Sequence, residues 1–270
     1  MTIKHSLFNL KIAFVLVLVY SNLSWAQDQF PQFKNKLDQT LSNDSLFLER
    51  KNKTLTSLKE KLHTTRSNQE RYPVLERIYE EYKSFQSDSA LVYAEKSKIS
   101  AAKNHNSTQL IRAQLNYASI LGTLGRYDDA LSSLNELERN VKESLKGEFY
   151  WTKRIIYGGL TEYGNSKAEK TKYNQLGDHY RDLAIANLSK NSTEYTVALA
   201  GQLFSKRKYT SALRLLLVAF DKIGKTDSNR AVIAYLISEN YRLLNNNAQE
   251  KKWLALSAIS DLELIKKENI

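Results

Sequence analysis

The chain has 270 residues, 42% of them hydrophobic, with 9 Gly, 2 Pro and no Cys. So few turn formers exclude a sheet protein, which needs them at each hairpin. The apolar content excludes general disorder, and the missing Cys excludes a disulfide framework or a lipid-modified cysteine. Lys and Arg outnumber Asp and Glu by 40 to 29. The first 26 residues hold two of these bases and no acid, so the remainder carries +9. The basic clusters Lys206-Arg207-Lys208 and Arg50-Lys51-Asn52-Lys53 lack interleaved aromatics. Nucleic acid is therefore not expected as a partner of this part.

Residues 1–26 read as a secretory signal peptide. Lys4 and Lys11 flank the apolar run Ile12 to Tyr20, and Ser24-Trp25-Ala26 places small residues ahead of a cut before Gln27. The run is too short to span a bilayer. The expected location is exported, in the periplasm.

Gln27 to Lys36 reads as a polar leader, and Leu37 to Arg66 as one long helix. Leu41, Leu48, Leu55 and Leu62 recur every seven residues, but the companion column is Asp44, Lys51 and Leu58. That pattern favours a helix laying one stripe on the following repeats over a dimerising coil.

From residue 67 the chain alternates helices and short turns. Ser67-Asn68-Gln69-Glu70 and Ser166-Lys167-Ala168-Glu169 are capping boxes, with Pro73 placed in the first turn after the former. Ser87-Asp88 restarts a helix that Asn104-His105-Asn106 ends. Ile111, Leu115, Ala118, Leu121 and Leu124 form one apolar face. Gly125 ends that helix in a left-handed turn. Tyr127, Ala130, Leu131, Leu134 and Leu137 repeat the period. Gly158-Gly159 should weaken the next helix by about 1 kcal/mol per Gly against Ala. Asn191 to Glu194 and Thr226-Asp227-Ser228 open the fourth and fifth pairs.

Ala118, Gly125, Tyr127, Ala130 and Leu134 resemble the tetratricopeptide repeat. So do Ala200, Tyr209, Ala212, Leu216 and Ala219, with Arg207 where Gly is usual. The resemblance implies an all-α, right-handed α-solenoid of about five helical hairpins over 67–270, preceded by one long N-terminal helix in 27–66. The order of segments adds a second likeness. It includes Tyr79-Glu80-Glu81-Tyr82-Lys83-Ser84-Phe85 and Asp88 to Ala94. It is similar to the exported sensor half of membrane-anchored bacterial tetratricopeptide regulators, some of which are tied to carbohydrate-utilisation genes. In that family a transmembrane helix and a regulatory region follow the repeats. Membrane attachment is expected only if the protein continues past Ile270.

Chemistry finds little footing in the sequence. His5, His63, His105 and His179 have no second ligand at metal spacing, and adjacent acids such as Asp128-Asp129 diverge on a helix. No catalytic residue, cofactor or metal is expected. The expected role is non-catalytic: a sensor or interaction module for a protein or peptide partner in the envelope. A structural adaptor and a hydrolase on a helical scaffold are the alternatives.

The implied solenoid lines its groove with the first helix of each pair. In the second pair that assigns Arg112, Leu115, Asn116, Ser119 and Thr123 to the groove. In the fourth pair it assigns Glu194, Val197, Ala198, Gly201 and Phe204, and in the fifth Tyr235, Glu239 and Arg242. A clamp for a peptide's terminal carboxylate is not expected there, because the fourth set offers no cation to match Asn116.

Overall fold

The computed structural model describes residues 29–266 except 85, 225, 226 and 228, with the side chains of 29, 44–47 and 264–266 also outside the description. The signal peptide expected over 1–26 lies outside the described residues. The described chain is all-α and of the tetratricopeptide-like solenoid class, with no strand. Twelve α-helices follow in order: α1 Gln29–Leu41, α2 Asp44–Thr64, α3 Asn68–Lys83, α4 Ser87–Lys103, α5 Ser107–Thr123 and α6 Tyr127–Glu138. A 3₁₀ turn, Glu143–Leu145, precedes α7 Lys146–Tyr163. Then come α8 Lys167–Asn187, α9 Thr193–Ser205, α10 Tyr209–Lys222, α11 Asn229–Leu243 and α12 Asn247–Lys266. No described helix is long and apolar enough to cross a membrane.

The single N-terminal helix expected over Leu37–Arg66 is in fact two, and the expected leader is helical from Gln29. Ser42 Oγ and Asn43 Nδ2 both donate to the carbonyl of Gln39, at 3.0 and 2.8 Å. These side chains offer the backbone a turn in place of the next helical bond. Pro73 also differs from expectation. It is the sixth residue of α3, a turn deeper than a missing amide is free.

Chain contacts divide the molecule into two compact units, one of residues 48–208 and one that joins the segment up to 47 with 209–268. In the 48–208 unit, Leu55 of α2 enters a core with Val74, Ile78, Tyr79, Tyr82, Ala90, Ala94 and Ile120, and Leu58 and Leu62 pack beside it. The leucine column thus lays its later half on the repeats, while Leu48 is 45% exposed. A second core joins Ile111, Leu115, Ala118 and Leu121 of α5 to Ala130, Leu134 and Leu137 of α6 and Phe149 and Ile156 of α7. Ala118 and Ala130 are fully buried, so the two helices meet where a larger side chain would hold them apart. The repeat-motif Tyr127 reaches the next pair. Its ring fills the space over Gly159, where a Cβ would stand 2.5 Å from Tyr127 Cε1, and it stacks on Tyr163 at 6.3 Å. The third pair is held by Lys153, 1% exposed, whose Nζ donates to Glu138 Oε2 at 3.1 Å and Asn135 Oδ1 at 3.2 Å.

In the other unit, α1 packs against α12. Lys36 pairs with Glu263 at 3.3 Å, and Lys252 Nζ lies 5.3 Å from the centre of the Phe33 ring. Phe220 and Trp253 meet edge to face at 4.8 Å, and the Arg230 guanidinium covers Phe220 at 3.8 Å. Both are favourable ring geometries.

Local capping follows the sequence closely. Ser67, Ser166 and Ser192 each accept from the amide three residues on, at 3.1–3.2 Å. Of the expected cap Thr226-Asp227-Ser228, the first and last lie outside the described residues; Asp227 Oδ1 accepts from the Asn229 amide at 2.8 Å.

Three of the turns share one geometry. The amide of Arg126 donates to Leu121, that of Lys208 to Leu203 and that of Asn246 to Tyr241, all at 2.9 Å. Each is the six-to-one bond of a Schellman turn. The residue before each donor is left-handed: Gly125 at φ +74°, Arg207 at +57° and Asn245 at +57°. A residue with a Cβ loses about 1–2 kcal/mol in that conformation, and Gly does not. Arg207→Gly should therefore stabilise the chain by roughly 0.5–1 kcal/mol, after the entropy of a freer unfolded chain is deducted. Urea unfolding at fixed slope checks it; a lower midpoint would refute the turn assignment.

Candidate interaction surface on the first helices

Four of the residues expected to face the groove share one side of α5. Arg112 is exposed and pairs with Glu148 of α7, its Nη2 3.5 Å from Oε1. Asn116 is half-buried, and its Nδ2 donates to Glu76 Oε2 of α3 at 3.1 Å. Ser119 is half-buried, and its carbonyl accepts from the exposed Thr123 hydroxyl at 3.2 Å. Three successive first helices, α3, α5 and α7, thus meet through side chains that the repeat spacing brings into register.

Two tyrosine hydroxyls lock the same register onto the backbone of α5. Tyr72 Oη donates to the carbonyl of Gln109 and Tyr79 Oη to that of Asn116, both at 3.2 Å. Leu115 does not belong to the face. It is 5% exposed and sits in the core with Phe149. The reason is its position three residues from Arg112 and Ala118, on the apolar stripe of the helix.

In the fourth pair Ala198 is likewise fully buried, while Glu194, Val197, Gly201 and Phe204 are partly exposed. In the fifth, Tyr235, Glu239 and Arg242 lie on one side of α11. Tyr235 is 47% exposed, and Arg242 grips Glu239 with both nitrogens, Nε at 3.1 Å and Nη2 at 2.6 Å. That bidentate pair cancels the two charges locally.

The family model of the SusR N-terminal TPR domain matches residues 41–270. The chain belongs to this family. Among curated proteins none matches it. Tetratricopeptide helical repeats are generally non-catalytic and generally mediate protein–protein interaction. Among the described residues no group of His, Cys, Asp or Glu is placed to hold a metal ion.

Two residues of this SusR-type repeat domain escaped the sequence reading, Glu76 and Glu148. Each lies 36–40 residues from its partner, one repeat away, which is the signal that could have found them. Burial pushes the Glu76 carboxyl above the usual range, and the nearby Ser97 and Tyr72 hydroxyls and Arg112 only partly offset it. Its Oε1 is buried with no hydrogen-bond partner.

A raised carboxyl binds its proton more tightly in the folded chain than in the unfolded one. Stability is then lost as pH rises through the folded value and is intact below the unfolded value, near 4.3 for a free Glu. Glu76→Gln removes this loss while keeping an acceptor for Asn116. The variant should raise the melting temperature at pH 8 and leave it nearly unchanged at pH 4. Equal effects at both pH values would show that the Glu76 charge is not the cause.

Proposed function

We propose that the chain is a non-catalytic, exported sensor module that binds a protein or peptide partner in the envelope and serves as the sensing part of a transcriptional regulator-like protein. The observation that carries this reading is the family match over 41–270. The face of α5 supports it. Arg112 and Asn116 are exposed enough to be reached yet already held by Glu148 and Glu76. Side chains fixed before binding lose less entropy on contact.

Export rests on the leader over 1–26. In this reading residues 27–66 lead into the repeat domain of 67–270, and attachment to the membrane follows if the protein continues past Ile270. Two measurements test it. Native protein should begin at Gln27 and be cut by protease added to intact spheroplasts; a protease-protected chain that retains residues 1–26 would end the export reading. Charge reversal by Arg112→Glu with Arg242→Glu should preserve the helical circular dichroism but abolish the change in transcript levels that loss of the whole gene produces. A gene deletion that alters no transcript would end the regulatory reading.

A further inference from the structure

Arg154 of α7 is a partly buried guanidinium that makes no hydrogen bond, ion pair or ring contact with any described residue. Other unpaired arginines, such as Arg50, Arg139 and Arg214, stand in solvent, where this costs nothing. Arg154 stands beside a second guanidinium. Arg181 of α8 is 5% exposed, with Nη1 on Asp178 at 2.8 Å and Nη2 on the Ser205 hydroxyl of α9 at 3.2 Å. Its Nε is buried without a hydrogen-bond partner, and the Asp182 carboxylate is 3.9 Å away and already accepts from Gln202. Burial first, and then Arg181, lower the proton affinity of Arg154, while Asp178 opposes them. A desolvated cation without a partner is costly to fold around.

Three glycines stand against these two side chains. A Cβ at Gly158 would stand 2.6 Å from Arg154 Nη1. One at Gly177 would stand 3.7 Å from Arg154 Cδ, and one at Gly201 3.7 Å from Arg181 Cδ. All three are helical and none has a left-handed φ, so backbone conformation does not call for glycine there. Each still weakens its helix by about 1 kcal/mol against Ala. At Gly158 the missing side chain leaves the room that the Arg154 guanidinium occupies.

We propose that the junction of α7, α8 and α9 around Arg154 is an anion site, with Arg154 as the contact residue and Arg181 as the charge behind it, and that its ligand is a carboxylate. Asp178 and Asp182 both lie against Arg181, so Arg154 is the cation left without a carboxylate of its own. A planar guanidinium meets a carboxylate through two parallel bonds, and Asp178 and Asp182 would oppose a dianion such as phosphate. The carboxylate belongs either to a partner chain or to a free small acid. The assignment does not depend on where the protein works or on what it regulates.

Thermal unfolding of the full chain in sodium acetate against sodium chloride at equal ionic strength tests it. Acetate should raise the midpoint saturably, by about 3 °C at ten times its Kd, and chloride should not. Arg154→Gln should raise the ligand-free midpoint and abolish the acetate response. Arg154→Lys, which keeps the charge but not the fork, should weaken it. N-acetyl-dialanine then separates the sources. Affinity at least tenfold above that of acetate marks a chain terminus, and equal affinity marks a small acid. Identical midpoints in acetate and chloride, an acetate response that survives Arg154→Gln, or equal binding of the dialanine amide would each overturn the proposal.

Discussion

Glu81→Leu should destabilise the 48–208 unit by about 3–5 kcal/mol, the usual consequence of leaving a buried charge without its partner. Glu81 is fully enclosed on α3. Its Oε2 accepts from Lys51 Nζ of α2, itself 6% exposed, and its Oε1 lies 3.0 Å from Arg77 Nη2. Lys51→Met alone should cost a similar amount, because the enclosed carboxylate then loses its buried cation. The double variant Lys51→Met with Glu81→Leu should recover most of the loss, since a packed apolar pair of similar volume has no charge to desolvate. Chemical unfolding of the four chains gives the coupling directly. Losses that simply add would mean that α2 is not held on α3 by this pair.

Gly147→Ala should destabilise the same unit by about 3 kcal/mol, the upper end for an overpacked site. Its added Cβ would stand 2.8 Å from the Asn187 carbonyl oxygen and 2.9 Å from the Leu188 nitrogen. Those are backbone atoms at the end of α8, and they move only if α7 and α8 move apart. Gly158→Ala is the control. There the Cβ meets only the flexible end of Arg154, so the helical gain of up to about 1 kcal/mol should survive. Denaturation that gave the two variants equal stability would contradict the close crossing of α7 and α8.

These cases also mark where the sequence was legible. Gly158 and Gly159 read alike as helix breakers, yet one lies under Arg154 and the other seats the ring of Tyr127. Lys51 reads as one of a basic cluster and as the polar member of a heptad column, and it is buried against Glu81. Of the residues assigned to the groove, Arg112, Asn116, Ser119 and Thr123 do share one side of α5. Leu115 and Ala198 were misassigned because a face drawn by register takes in residues at its apolar edge. The third Schellman turn, at Asn245, was hidden because Asn replaces the glycine that announces it.

The sequence by itself determined most of the helices from residue 67 on, their caps, the all-α class and the repeat. Each of these is written in hydrogen bonds and apolar spacings that span fewer than about twenty residues, such as Ser166 to Glu169 or Ile111 to Leu124. Only the tertiary structure decided which charges are buried and which segments meet. It packed α1 on α12, turned the later half of the leucine column inward, and set Glu76 under Asn116 and Arg181 behind Arg154. A polar side chain carries no local mark of its distant partner. Its burial is set by which surfaces close over it when the helices pack.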